Sequence, residues 1–422
     1  MPESSDIVIG RISLIMGCIG GIQMYEKLIQ GFRDIYGSEP EYYAAAPGRT
    51  ELSGNHTDHQ HGRVLAAAID LATEAVLKKN GTDMIRVYSE GFGMSEIDIN
   101  DLDVRPEEKN TTISLIRGIA AYYAGAGSLA DEKICDISGF DAYVTSTVLP
   151  GSGLSSSAAF EVLIATIMNG LFNGSGLSAV KVAQIGQWAE NNYFGKPCGL
   201  MDQTASSVGS IIGIDFKDPK SPVVERLDFD LAETGYKLCI IDTMADHSDL
   251  TGEYAAITEE MKAVSRMFGE EYLRDVSEAD FYDKLAEVRK EAGDRAALRA
   301  IHFFSEEKRV EKQVEALKNR EWDTFLQLVT ESGLSSWRCL QNVTVSGAVG
   351  NQEIAFALAY AEQLLAGRGA CRVHGGGFAG TIQAFVPDDM TESFKKKMEG
   401  VLGEGTCHIL SIQPQGGCFT AL

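Results

Sequence analysis

The sequence predicts a two-domain protein of mixed helices and strands, and three observations carry that expectation. The chain has 422 residues, more than one hydrophobic core ordinarily serves, so two domains are expected. Phe140, Ala142, Val144 and Val148 alternate with Asp141, Tyr143, Thr145 and Thr147, the period-two pattern of a half-buried strand. Phe160, Leu163, Ile164, Ile167 and Leu171 then recur at helical spacing. Between strand and helix lies a Gly-Ser loop, Gly151, Ser152, Gly153, Leu154, Ser155, Ser156 and Ser157. A strand, a glycine-rich loop and a helix N-terminus in that order aim free N–H groups and a positive dipole end at one spot, which suits an anion. The loop lacks the G-K-[ST] of a Walker P-loop and the G-x-G-x-x-G of a Rossmann turn.

Composition narrows the function. Hydrophobic residues at 44% and charged residues at 23% are ordinary for a globular protein. A net charge of −23 argues against a nucleic-acid partner, whose phosphates would be repelled. No stretch reaches the about 18 uninterrupted apolar residues of a membrane span, so no membrane partner is expected. The apolar run Ile7 to Ile22 is broken by Arg11 and lacks a basic flank, which favours a buried strand or amphipathic helix over a signal peptide. Eight scattered cysteines with no C-x-x-C pair read as reduced thiols, which places the protein in the cytoplasm.

Taken in order, Leu28, Ile29, Phe32 and Ile35 predict a helix over Tyr25 to Tyr36, ended by Gly37 to Pro40. The segment Tyr43 to Gly62 is expected to be a loop, holding Arg49, Asn55, His56, Asp58, His59 and His61 between glycines. Its His-x-x-His-x-His spacing fits no single helical face, so zinc is disfavoured. Alternating donors and acceptors suit a polyhydroxylated ligand instead. Val64 to Leu77 is a buried segment whose second half reads as strand, Met84 to Ser89 a strand, and Ile113 to Tyr123 a helix. A helix through Val182 to Tyr193 carries Glu190 and leads into a Pro-Cys-Gly turn and Asp202, a carboxylate among apolar residues that needs partners. The turn-rich Lys217 to Pro222 suggests a domain change near 220, giving domains 1–220 and 221–422. Leu238 to Asp242 reads as a core strand, and Tyr254 to Met267 and most of 278–333 as helical. Gly375, Gly376 and Gly377 precede a strand over Thr381 to Val386, and adjacent glycines mark a backbone that must come close to something.

Together these motifs resemble the galactokinases of the GHMP sugar and metabolite kinase superfamily. Pro47 to Arg49 with Gly54 to Asp58 is similar to the family's sugar signature, and Gly151 to Ala159 to its phosphate-binding signature. Pro197 to Gln203 is similar to its catalytic-Asp segment, Arg372 to Gly380 to its third glycine motif, and His247 with Tyr254 is a weaker match. The resemblance implies an α+β fold with an N-terminal domain and a ferredoxin-like C-terminal domain, the site lying in the cleft between them. It implies an enzyme that phosphorylates the anomeric hydroxyl of galactose with ATP and Mg²⁺; the residues set no oligomeric state, and a monomer is the expectation. Asp202 would take or orient the hydroxyl proton and Arg49 would stabilise developing charge. Asn55, His56, Asp58, Gly199 and Tyr254 would meet the sugar. Gly151 to Ser157 with Gly375 and Gly376 would serve the ATP phosphates, and Ser157 and Glu190 the Mg²⁺.

The departures fall on the sugar side. Asn55 and His59 stand where the signature has Glu and Tyr, Thr50 and Glu51 replace Val and Asn, and Thr243-Met244 replaces Asn-Ser. A kinase of a related sugar (galacturonate, arabinose or N-acetylgalactosamine) is therefore an alternative. A non-catalytic sugar sensor is another, against which the whole Ser155 to Ala159 run argues.

Overall fold

The computed structural model describes residues 21–127, 129, 132–149, 152–196, 198–245 and 250–422. Most of the Ile7 to Ile22 segment, and the expected site residues Gly151, Pro197 and His247, lie outside the described residues. In chain order, a helix Gly21–Tyr36 precedes β1 (Tyr42–Ser53), β2 (Arg63–Lys79), β3 (Met84–Ser89) and β4 (Gly93–Asp98). Helix Thr112–Ala124 precedes β5 (Phe140–Ser146), and helices Ser156–Asn173, Ala179–Ala189 and Met201–Val208 lead to β6 (Ile211–Asp215) and β7 (Val223–Leu227). After β8 (Tyr236–Asp242) come the long helices Thr251–Met267, Asp294–Lys318, Trp322–Ser335 and Glu353–Leu365. The chain continues through β9 (Ala370–His374), β10 (Thr381–Pro387), helix Thr391–Leu402, β11 (Cys407–Leu410) and β12 (Cys418–Ala421).

Two sheets organise these elements. The first runs β12-β1-β2-β5-β3-β4, with β6 paired onto β2 and β7 onto β6, and only its β3–β5 pair is parallel. The second runs β11-β8-β10-β9, all antiparallel. Strand, helices, strand, strand, helix, strand in that spatial order is the ferredoxin-like arrangement, as the resemblance implied.

The apolar stripe of Ser156–Asn173 (Val162, Leu163, Ile164, Ile167, Met168) packs with Ile116 and Ile119 of Thr112–Ala124 against Ala75, Leu77 and Ala142 of the first sheet. A second core is shared by both sheets, joining Leu65 and Ile69 of β2 to Leu238 and Ile240 of β8 and Phe385 of β10. A shared apolar core of this kind holds the two halves in one arrangement rather than leaving them on a free hinge.

Several expectations are corrected. Tyr43 to Ser53 is not loop but β1, a strand inside the first sheet, and Arg49 projects from it. Pro47 and Gly48 sit where the β1–β2 register shifts, a bulge that tolerates a residue without an N–H. All of Arg63–Lys79 is one strand, not only its second half. The turn near 220 closes the β6–β7 hairpin within the first sheet, so the change of sheet falls between Leu227 and Tyr236. β12 then returns to pair with β1.

Candidate active site

The site is built where β1, the N-terminus of Ser156–Asn173 and the helix Met201–Val208 converge. Arg49 on β1 forms a two-pronged ion pair with Asp202 in the first turn of that helix, Nε to Oδ1 at 2.6 Å and Nη2 to Oδ2 at 2.6 Å. Its third nitrogen, Nη1, donates to the Gly153 carbonyl, and its backbone N–H donates to Leu154 O at 3.1 Å. Ser155, held at φ +55° just before the helix, turns its hydroxyl onto Asp202 Oδ2 instead of capping the helix. A non-glycine residue in that region is strained, and such strain is typically kept where the surroundings require it. Burial pushes the Asp202 carboxyl up, but the Arg49 charge and the hydrogen bonds from Arg49 and Ser155 outweigh it and hold it below the usual range.

Asp58 lies in the same cleft, on the turn Asp58–Gln60. A side chain at Gly199 would collide with Asp58 Oδ2, at 2.1 Å, so only glycine lets that carboxylate sit there. Burial, then the Asp202 charge, raise Asp58 to about 6.

The remaining sugar-signature residues turn inward. Asn55 is 0% exposed. Its amide donates to Glu51 Oε1 at 3.1 Å and to Gly375 O at 2.7 Å, and its carbonyl accepts from Asn342 Nδ2 at 2.8 Å and Ser336 Oγ at 3.3 Å. No hydrogen-bonding capacity is left for a sugar hydroxyl, which corrects its expected role. His56 places Nε2 at 2.9 Å from Gly376 O and Nδ1 at 2.9 Å from His59 Nε2. Burial lowers His56 to about 3 and His59 to about 4. Both rings are therefore neutral, which sets His56 Nε2–H as donor to Gly376 and His59 Nε2–H as donor to His56. Tyr254 donates its hydroxyl to Gly377 O at 2.9 Å, and its ring fills the space a side chain at Gly376 would need. The carbonyls of Gly375 and Gly376 are tied to Asn55 and His56, so only their N–H groups could face a phosphate. What approaches the phosphate loop from the second sheet is Thr381 and His374, whose Oγ1 and Nδ1 lie 3.0 and 3.2 Å from where a Gly153 side chain would begin.

Behind Asp202, Gln203 donates to Glu161 at 2.9 Å and to Glu190 at 3.0 Å. Glu190 opens a wide π turn, Glu190–Phe194, where the expected helix continues with changed pitch. Burial raises both carboxyls, Glu161 well above its usual range with the Glu190 charge adding to it. Glu161 Oε1 and Gln203 Oε1 are buried oxygens without a partner. Ser156 and Ser157 border a cavity of about 230 Å³, also lined by Leu115, Val148, Phe160 and Phe194. Among the described residues no group of three or more His, Cys, Asp or Glu could cage a metal by itself. The oxygen donors of Glu190 and Ser157 are of the kind Mg²⁺ takes when substrate phosphates complete its shell.

Local patterning could not show Glu51, Arg372, His374, Glu161 or Asn342, whose partners lie far along the chain. The base-sized cavity, drawn from Thr73, Asn110, Thr112 and the residues above, likewise had no signal in any one stretch.

Comparison with known proteins agrees with this geometry. Residues 30–79 match the galactokinase galactose-binding signature, and residues 115–210 match the GHMP kinases N terminal domain. A galactokinase of Streptomyces coelicolor is 32% identical over 87% of this chain and 90% of its own length. A galactokinase of Haemophilus influenzae is 31% identical over 85% and 88%. The crystal structure of Lactococcus lactis galactokinase complexed with galactose superposes with a TM-score of 0.78 at 22% identity, covering 94% of this chain and 99% of that one. The Methanococcus jannaschii mevalonate kinase shares the fold with a TM-score of 0.60.

Proposed function

Because the chain belongs to the galactokinase family, we propose that it transfers the γ-phosphate of ATP to the anomeric hydroxyl of galactose, giving galactose 1-phosphate and ADP. The observation that carries this reading is the Arg49–Asp202 pair, set against the phosphate loop by Ser155 and Gly153.

The anomeric hydroxyl oxygen attacks the γ-phosphorus, the bond from that phosphorus to the β,γ-bridging oxygen breaks, and the hydroxyl proton passes to Asp202. An ionised carboxylate of low proton affinity orients the hydroxyl first and takes the proton late. Such timing suits phosphoryl transfer, where little charge builds on the attacking oxygen before the transition state. Arg49, fixed by Asp202 and the Gly153 carbonyl, offers a preorganised cation between the acceptor and the transferred phosphoryl group. Asp58 and Gly199 form the sugar floor, with Asp58 free to accept from a sugar hydroxyl. Ser152 to Ser157 receive the phosphates through backbone N–H groups, and the apolar cavity beside Ser157 takes the nucleotide base. Glu190 and Ser157 would hold Mg²⁺, which supplies neutralisation of the phosphate charge when bound. A protein of net charge −23 needs that help to receive a polyanion.

Seven free cysteines among the described residues favour a reducing compartment, so we place the enzyme in the cytoplasm. Among the described residues no helix is long and apolar enough to cross a membrane. A coupled ADP-release assay over galactose, galacturonate, arabinose and N-acetylgalactosamine tests the reading. Galactose is expected to give the highest kcat/KM, and a tenfold preference for another sugar would reassign the substrate.

A further inference from the structure

The carbonyls of the three adjacent glycines are all held by residues outside their own loop. Asn55 donates to Gly375, His56 and Asn342 reach Gly376, and Tyr254 donates to Gly377. Of these donors, Asn55 alone is oriented by a charge. Its amide faces Glu51 Oε1 at 3.1 Å, and the same oxygen accepts from Arg372 Nη2 at 2.5 Å. Glu51 and Arg372 are 6% and 0% exposed at their side chains, and they join β1 of the first sheet to β9 of the second. The carboxylate at 51 and the carbonyl of Gly375 both demand a donor at 55, while Asn342 and Ser336 supply donors to its other side. Only an amide satisfies both sets at once.

We infer that Asn55 is a positioning residue, whose amide, aligned by the buried Glu51–Arg372 pair, sets the Gly375–Gly377 loop against the sugar segment. The Asn–Glu order expected of the signature is thereby reversed: here the carboxylate stands at 51 and the amide at 55. A glutamate at 55 would bring a second carboxylate against Glu51 in a buried space and present an acceptor to the Gly375 carbonyl. The inference rests on the kinase reading above and adds to it that residue 55 acts on the sugar through the loop, not by touching it.

The test is kinetic. Galactose and ATP are each varied in the ADP-release assay at 25 °C for wild type, Asn55→Glu, Asn55→Ser, Glu51→Gln and the double variant Glu51→Gln/Asn55→Glu. Asn55→Glu is expected to raise KM for galactose about 10- to 100-fold, the effect of a buried polar group left mismatched, with KM for ATP within threefold of wild type. The double variant relieves the meeting of two carboxylates but still offers no donor to the Gly375 carbonyl, so it is expected to recover only part of that loss. Asn55→Ser removes the donor without adding charge and should raise KM for galactose about tenfold, so the inference stays testable if Asn55→Glu does not fold. A merely structural residue would lower the active fraction and melting temperature at unchanged KM. That outcome overturns the inference. Wild-type enzyme inactive on galactose would count against the function instead, and the same variants are then compared on whichever sugar supports turnover.

Discussion

Asp202 and Asp58 face one cleft, and their surroundings drive their charge in opposite directions. Burial raises both. Asp202 has Arg49 across two bonds of 2.6 Å and the Ser155 hydroxyl besides, so its carboxyl ends below the usual range. Asp58 has no cation of its own, and the Asp202 charge adds to burial, leaving it near 6. Two identical side chains in one cleft are thus driven apart, one held ionised by its cation and the other raised to titrate near 6. Environment separates the roles, which is how paired carboxylates come to divide labour.

The largest way to break the comparison is to remove the ionised partner. Asp202→Asn keeps the shape but cannot take the proton, and kcat is expected to fall about 10²–10⁴-fold while ATP binding survives. Retention of more than about a third of wild-type kcat would remove Asp202 from the chemistry.

Replacing the cation is milder. Arg49→Lys keeps the charge but loses the two-pronged geometry and the contact to Gly153. A fall in kcat of about 10²–10³ is expected, the usual loss when one preorganised donor goes. The acid limb of the pH–rate profile should also move modestly upward, because Asp202 keeps a nearby charge but loses the paired hydrogen bonds from Arg49 that help lower it. An unmoved limb would mean that Arg49 does not set the charge of Asp202.

The smallest effect is on stability. The folded protein holds the Asp58 proton more tightly than the unfolded chain, with a pKa of about 6 against 3.8. Stability from this group is therefore full below pH 3.8 and is lost as pH rises through about 6. Asn cannot ionise, so the melting temperature of Asp58→Asn relative to wild type should climb between about pH 4 and pH 6 and level off above that. A difference that stays flat over that range would show that Asp58 is not held protonated by its surroundings.

The Gly-Ser junction of strand, loop and helix was legible in the sequence, and the surroundings of Asn55 only partly. Gly153 to Ser157 form one contiguous stretch, where strand, glycines and helix start declare their joint purpose. The loop at Gly375 to Gly377 was legible as a close approach, but what it approaches was not. Its partners Asn55, Tyr254 and Asn342 lie far apart in sequence, and no local pattern records such a meeting. Asn55 was read as a sugar ligand because a polar residue on a supposed loop looks available. The strand assignment of Tyr42–Ser53 and the buried carboxylate at Glu51 reverse that, and both depend on pairings with β2 and β9. Asp202, by contrast, was identifiable as needing partners, since an acid among apolar residues must find them.

The return of β12 to the first sheet bears on how the molecule is made. Cys418–Ala421 pairs with Tyr42–Ala45, and Phe419 stacks on Tyr42 and fills the space left by Gly170. During synthesis the edge of β1 stays uncovered while the whole second sheet emerges from the ribosome. An open edge on a nascent chain invites pairing with a neighbouring chain, so this is an interval in which chaperone cover matters. Closing so long a loop is slow, and the last strand then acts as a clasp that both halves wait for.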